Sequence, residues 1–161
     1  MRASYAWLKS LLSSGAGSGL EASPQDVAAS LTGIGLEVEE LIEYGAPAAE
    51  CVVAVVRGKE AHPDRERLSL VTVDRGGAEQ VIVCGAPNVP APGRKVVLAP
   101  LGTHLPELGI TVASRAIGGI TSEGMLCSEQ ELGLIGGGGK GEGILVLPED
   151  CEAAPGTLLC E

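Results

Sequence analysis

Five cationic side chains, Arg57, Lys59, Arg65, Arg67 and Arg75, crowd one short stretch of this chain, and Glu60, Asp64, Glu66 and Asp74 interleave with them. Cations at this spacing can meet phosphates, or they can pair with their acidic neighbours as a solvated surface. With the acids so close, few cations are left for strong non-specific phosphate binding. His62 lies inside the stretch, and His104 is the only other histidine. Neither sits in a cluster with metal-ligand spacing, so a metal-dependent or triad mechanism lacks parts. Gly139-Lys140 suggests a phosphate loop, but that pattern needs Gly at 134 and Ser or Thr at 141, where the chain has Leu134 and Gly141. Cys51, Cys84, Cys127, Cys151 and Cys160 are scattered, odd in number and form no C-x-x-C pair. They read as small buried thiols of a reducing compartment, with no metal or cofactor called for.

The net charge of −10 argues at first against nucleic acid. Its distribution changes the argument. Residues 1–50 hold two basic and seven acidic side chains, residues 51–134 eight and nine, and residues 135–161 one and five. The acidity therefore lies in the flanks, and the middle is near neutral. No run of about 18 apolar residues offers a membrane span. The N-terminus lacks the basic-then-apolar order of a signal peptide, and the chain reads as cytoplasmic.

The elements that must position these residues follow from local patterning. Ser4 can cap a short helix to Leu12, with Trp7, Leu8, Leu11 and Leu12 at helical spacing. Residues 13–19 form a small-residue loop. Ser23-Pro24-Gln25-Asp26 opens a second helix, with Ser23 as cap and Pro24 in the first turn, and Gly33 or Gly35 can end it. Leu36 to Ile42 alternates and predicts a strand. Gly45 to Ala49 marks a boundary, after which the pattern turns to short strands. These are placed at Cys51–Lys59, Leu68–Asp74, Gln80–Cys84, Lys95–Ala99 and Ile144–Leu147, with irregular pieces around Ile110–Ala116. Gly136 to Gly143 is a loop before the last strand. With 24 glycines and no Phe, five or more short strands favour a small barrel over a helical fold.

Four phrases occur in a particular order along this pattern. They are Trp7-Leu8 with Gly35-Leu36-Glu37-Val38-Glu39, then His62-Pro63-Asp64-Arg65-Glu66-Arg67-Leu68, then Cys84-Gly85-Ala86-Pro87-Asn88, then Ser122-Glu123-Gly124-Met125-Leu126-Cys127-Ser128. Glu131-Leu132-Gly133 and Leu147-Pro148 complete the series. In this order the chain resembles the N-terminal region of the bacterial phenylalanyl-tRNA synthetase beta subunit, over about Tyr5 to Leu159. The departures are Arg65 and Glu66, where that family commonly has small and acidic residues, and the glycine run from Gly136 to Gly139.

The resemblance implies a fold that is mainly β with α, an OB-fold barrel inserted in a small α/β N-terminal domain. Residues 1–45 would be an N-terminal helical segment, 46–148 the tRNA-binding barrel, and 149–161 a return segment packing on the N-terminal part. It implies tRNA as partner, with the synthetase alpha subunit or the remaining beta-subunit domains, and no catalysis by this piece alone. A free-standing relative would be a homodimer candidate. A protein-interaction domain with a degenerate RNA face is the alternative. Trp7 and both tyrosines lie outside the barrel, so stacking on bases lacks its residues and recognition of RNA shape remains. The candidate RNA contacts are Lys59, Arg65 and Arg67 to phosphates, with His62, Asn88 and Ser122 as polar donors or acceptors. Each of the last three also has a local role open to it: turn histidine, turn asparagine and backbone cap.

Overall fold

The computed structural model describes residues 3–13, 21–42, 45–134 and 143–159. It divides into two compact units, residues 1–43 and 44–161. The first holds two helices, α1 (Tyr5–Ser13) and α2 (Pro24–Gly33). The Ser23 hydroxyl accepts from the Asp26 amide, while the Asp26 carboxylate accepts from the Ser23 amide and hydroxyl. This reciprocal cap satisfies donors that a helix start leaves open. The Ser23 side chain and amide hold the Asp26 carboxyl below its ordinary value. The chain leaves α2 through Gly35 at φ +92°, a left-handed conformation suited to glycine.

The predicted strand over Leu36–Ile42 is not a strand: the segment is extended and has no ladder partner among the described residues. Its alternation has nothing to pair with, and the Val38 amide donates to the Thr32 hydroxyl, turning the segment back on α2. The loops read at residues 13–19 and 136–143 fall almost wholly outside the described residues.

The second unit starts with a 3-10 turn (Ala46–Glu50) and contains β1 (Val52–Ala61), β2 (Ser69–Asp74), β3 (Glu79–Cys84), β4 (Lys95–Ala99), β5 (His104–Leu105), β6 (Ile110–Thr111), β7 (Arg115–Ile117), β8 (Ile120–Ser122) and β9 (Met125–Leu126). The main sheet has the order β3-β2-β1-β4-β9, antiparallel throughout. β5 pairs with β6, and β7 with β8. The sheet curls, and its end strand β3 is tied by side chains to β8 and the β8–β9 turn, where no ladder forms. The Ser122 hydroxyl accepts from the Val83 amide, and Gln80 Nε2 donates to the Glu123 carbonyl. The result is a small OB-like half-barrel.

Both faces of the central strands are covered, as continuous apolar runs such as Val52–Val56 and Val96–Ala99 require. Ala54, Val56, Val71, Val73, Ile82, Val96, Leu98 and Leu126 fill the inside. Ala48, Cys51, Val53, Val97, Ala99, Leu105, Cys127 and Leu132 form a second cluster on the outside. With no aromatic residue from Gly45 onward, Ile82, Leu98, Leu105 and Leu132 are the largest fully buried side chains.

Ile144–Leu147, predicted as the last strand, makes only a single bridge, Val96 to Val146. The Ile144 amide is taken by Asn88 and the Leu145 amide by the Cys127 carbonyl, so no continuous ladder forms. Residues 156–159 bond along the start of β1 and the residue before it: the Val53 amide donates to the Thr157 carbonyl, the Gly156 amide to the Val53 carbonyl and the Leu159 amide to the Cys51 carbonyl. Residues 156–159 therefore pack on the barrel, and Cys151, Ala153 and Leu159 join its outer cluster.

A bulge between Val56 and Gly58 sets Arg57 beside Asp74, at 2.7 Å. Asp74 also accepts from the Gly76 and Gly77 amides, at 2.9 and 3.0 Å. The Arg57 guanidinium, and then these two amides, lower the Asp74 carboxyl to about 2. A carboxyl depressed by folding contributes stability that is complete above its unfolded value, near 4, and is lost as the pH falls through about 2. We expect the Asp74 carboxyl resonance to titrate at about 2 by NMR, and Asp74→Asn to remove this share of the acid sensitivity. A midpoint near 4 would show the turn open in solution.

Candidate nucleic-acid interface

The turn between β1 and β2 is fixed by its own backbone. The His62 amide donates to the Leu68 carbonyl, and the Leu68 amide to the Arg65 carbonyl, each at 3.0 Å. His62 is 3% exposed, and both ring nitrogens are used. Nδ1 lies 3.1 Å from the Asp64 amide, and Nε2 lies 3.0 Å from the Ile117 carbonyl. An amide can only donate and a carbonyl can only accept, so Nδ1 is the bare nitrogen and Nε2 carries the proton. His62 thus ties the turn to the β7–β8 hairpin. Gly118, at φ +57° in that hairpin, packs on the ring so closely that an added Cβ would lie 2.4 Å from His62 Cε1.

Arg65 and Arg67 are exposed on this turn, and their side chains have no hydrogen bond or ion pair among the described residues. Lys59 lies on the same end of β1, opposite Val71, and its Nζ is 3.3 Å from the Val89 carbonyl. The other two residues of the cationic stretch are elsewhere. Arg57 is paired with Asp74, and Arg75 follows the far end of β2, roughly 20 Å along the strand from the turn. The pleat and the bulge thus divide a run that looked continuous in the sequence.

Asn88 and Ser122 have internal partners. Asn88 Nδ2 donates to the Ile144 carbonyl and Oδ1 accepts from the Ile144 amide, both at 2.8 Å. Ser122 is 4% exposed and, besides accepting from Val83, donates to the Gly124 carbonyl. The same holds for the phrase after Cys127, where the Glu131 carboxylate accepts from the Ser128 amide and hydroxyl. A cavity of about 410 Å³ lies between the two motif segments, with Cys84, Pro87, Met125, Leu126 and Glu131 in its wall. Its carboxylate makes it a poor seat for phosphate.

One exposed cation escaped the sequence reading. Arg115, on β7 opposite Ser122, has no side-chain partner among the described residues. Nothing in the sequence connects it with the cluster fifty residues earlier; the His62–Ile117 bond does.

The family model described as "Putative tRNA binding domain" matches residues 51–156, from the start of β1 to the segment that returns along it. The phenylalanine–tRNA ligase beta subunit of Bacteroides fragilis is 42% identical over 164 residues, covering 98% of this chain and 18% of that one. That of Xanthomonas oryzae pv. oryzae is 41% identical over 162 residues, covering 100% of this chain and 19% of that one. The chain thus spans less than a fifth of the length of these curated relatives. Among solved structures, a MetRS related protein from Pyrococcus horikoshii is 20% identical with a TM-score of 0.45, over 66% of this chain and 84% of that one. With two thirds of its length matched by the family and its whole length similar to these beta subunits, the chain belongs to the tRNA-binding domain family and is homologous to part of the phenylalanine–tRNA ligase beta subunit.

Proposed function

We propose that this chain is the N-terminal tRNA-binding region of a phenylalanine–tRNA ligase beta subunit, acting in the cytoplasm. It docks and orients tRNA while the alpha subunit and the remaining beta-subunit domains carry out aminoacylation. Lys59, Arg65 and Arg67 meet RNA phosphates. His62, Asn88 and Ser122 shape the surface, because their polar groups hold the turn, the Ile144 segment and the barrel closure. The observation that carries this reading is the turn itself. Two arginines without internal partners among the described residues stand on a backbone already fixed, so little backbone ordering entropy opposes contact.

The recognition is of RNA shape. From Gly45 onward the chain has no Phe, Trp or Tyr on which a base could stack. Phosphate and 2′-hydroxyl contacts from loops remain. The net charge of −10 works against the approach of RNA, and it favours the alternative of a protein-interaction domain.

Titrating the chain with deacylated tRNA over a salt series, beside a duplex RNA control, separates the two. We expect saturable binding with a preference for tRNA that weakens as salt rises. The double variant Arg65→Ala/Arg67→Ala should weaken it and flatten the salt slope by about 2, one per lost phosphate contact. A folded chain that does not bind at low salt would leave the interaction-domain reading in its place.

A further inference from the structure

We propose that the β7–β8 hairpin is a second wall of the RNA surface, with Arg115 as a phosphate contact and His62 as the positioning residue that holds the hairpin against the β1–β2 turn. This rests on the RNA-binding reading above and deepens it.

Four observations carry the inference. The hairpin is only three residues on each strand, too short to hold its place alone. Its attachments are few and definite: Ile117 accepts from His62 Nε2, and Ser122 accepts from the Val83 amide of β3. The His62 ring is bonded at both nitrogens and buried, so Gly118 rests on a surface that cannot give way. Arg115 stands exposed on this hairpin and, like Arg65 and Arg67, has no internal partner among the described residues.

The chemistry fits an anionic partner, and under the RNA-binding reading above that partner is the phosphate backbone. Arg57 and Arg94 show what cations of this barrel do when an acid is in reach: each takes an ion pair, with Asp74 and Glu149. Arg65, Arg67 and Arg115 take none, although Glu60, Asp64, Glu66 and Glu123 occur in the same segments; exposed Arg75 takes none either, so it is their place on the two segments joined by His62 that sets these three apart. Three guanidinium groups stand on two backbone segments joined through one buried imidazole, so one RNA can meet both segments. The hydrogen-bond network of His62 sets the spacing, and the arginines supply the charge.

The test uses the whole chain, unfractionated deacylated tRNA and a salt series. Arg115→Ala should weaken binding about fivefold at low salt and flatten the salt slope by about 1. Arg115→Lys should keep the slope, and Arg115→Glu should weaken binding further. Arg75→Ala, beyond the far end of β2, should change neither. Gly118→Ala forces the hairpin off the His62 ring without altering charge, so it should weaken tRNA binding while far-ultraviolet circular dichroism stays unchanged. In that background Arg115→Ala should have little further effect, a non-additivity that a merely structural loss would not produce. If Gly118→Ala fails to fold, the charge series at Arg115 decides alone.

Unchanged binding and slope in Arg115→Ala, with Arg65→Ala/Arg67→Ala weakened, would overturn the role of the hairpin and leave that of the turn. No binding by the unsubstituted chain would overturn the RNA reading itself.

Discussion

Leu98→Ala should destabilise the barrel by about 3 to 5 kcal/mol, a large part of the total stability of an ordinary domain. Leu98 is fully buried on β4 and faces the inside of the barrel. Its backbone is held on both sides, opposite Val52 of β1 and Leu126 of β9. The strand therefore cannot move inward to fill the space that the leucine leaves. Its neighbours offer little help: Ala54 is a single methyl, Val56, Val71, Val73 and Val96 are short and stiff at χ1, and no aromatic side chain is present in the barrel to swing across. A cavity that persists adds its own cost to the lost burial, which places this substitution at the upper end of its class. Denaturant unfolding followed by far-ultraviolet circular dichroism measures it. A loss below about 1.5 kcal/mol would show that the barrel collapses around the deletion.

Gly156→Ala should cost about 2 to 4 kcal/mol, from a left-handed backbone and a backbone clash together. Gly156 has φ +89°, and a Cβ there would lie 2.5 Å from the Arg75 carbonyl oxygen. Gly76, at φ +103°, faces it from the β2–β3 turn, and its own Cβ would lie 2.7 Å from the Pro155 carbonyl oxygen. Two backbones approach at a point where neither can carry a side chain. Retreat is blocked, because the Gly156 amide is bonded to the Val53 carbonyl and the Val53 amide to the Thr157 carbonyl. Gly77→Ala is the comparison. It has a similar φ of +92° but open space around it, so only the strain of about 1 to 2 kcal/mol applies. Equal losses in the two variants would mean that the return segment leaves β1 easily.

The first four strands were legible because each is long enough for its Val, Leu and Ile residues to show a pattern, and their observed bounds lie within two residues of the expected ones. The Ser23 cap was legible because it is local chemistry between neighbours. β5 to β9 are two or three residues each, below the length at which any period can appear. Leu36–Ile42 and Ile144–Leu147 have the alternation or β-branching of strands but lack a continuous partner, and a partner is a property of the whole fold. The same distinction governs the site. Exposed arginines on a turn can be read from a sequence. That His62 bonds to Ile117, Asn88 to Ile144 and Ser122 to Val83 cannot. Each of those bonds spans between 39 and 56 residues. The tRNA-family phrases were recognisable as a set, yet much of what they encode here is internal scaffolding that presents other side chains.

β3 ends the main sheet, so one row of its backbone groups faces away from β2 without a ladder partner. An open edge of this kind is a template on which another copy of the chain can add a strand. Here the β7–β8 hairpin, anchored to Val83 through Ser122 and to the turn through His62, lies over part of that edge. Exposed Val81 sits on the same strand. The hairpin therefore covers part of an edge on which a further strand could add, and the buried imidazole holds it there.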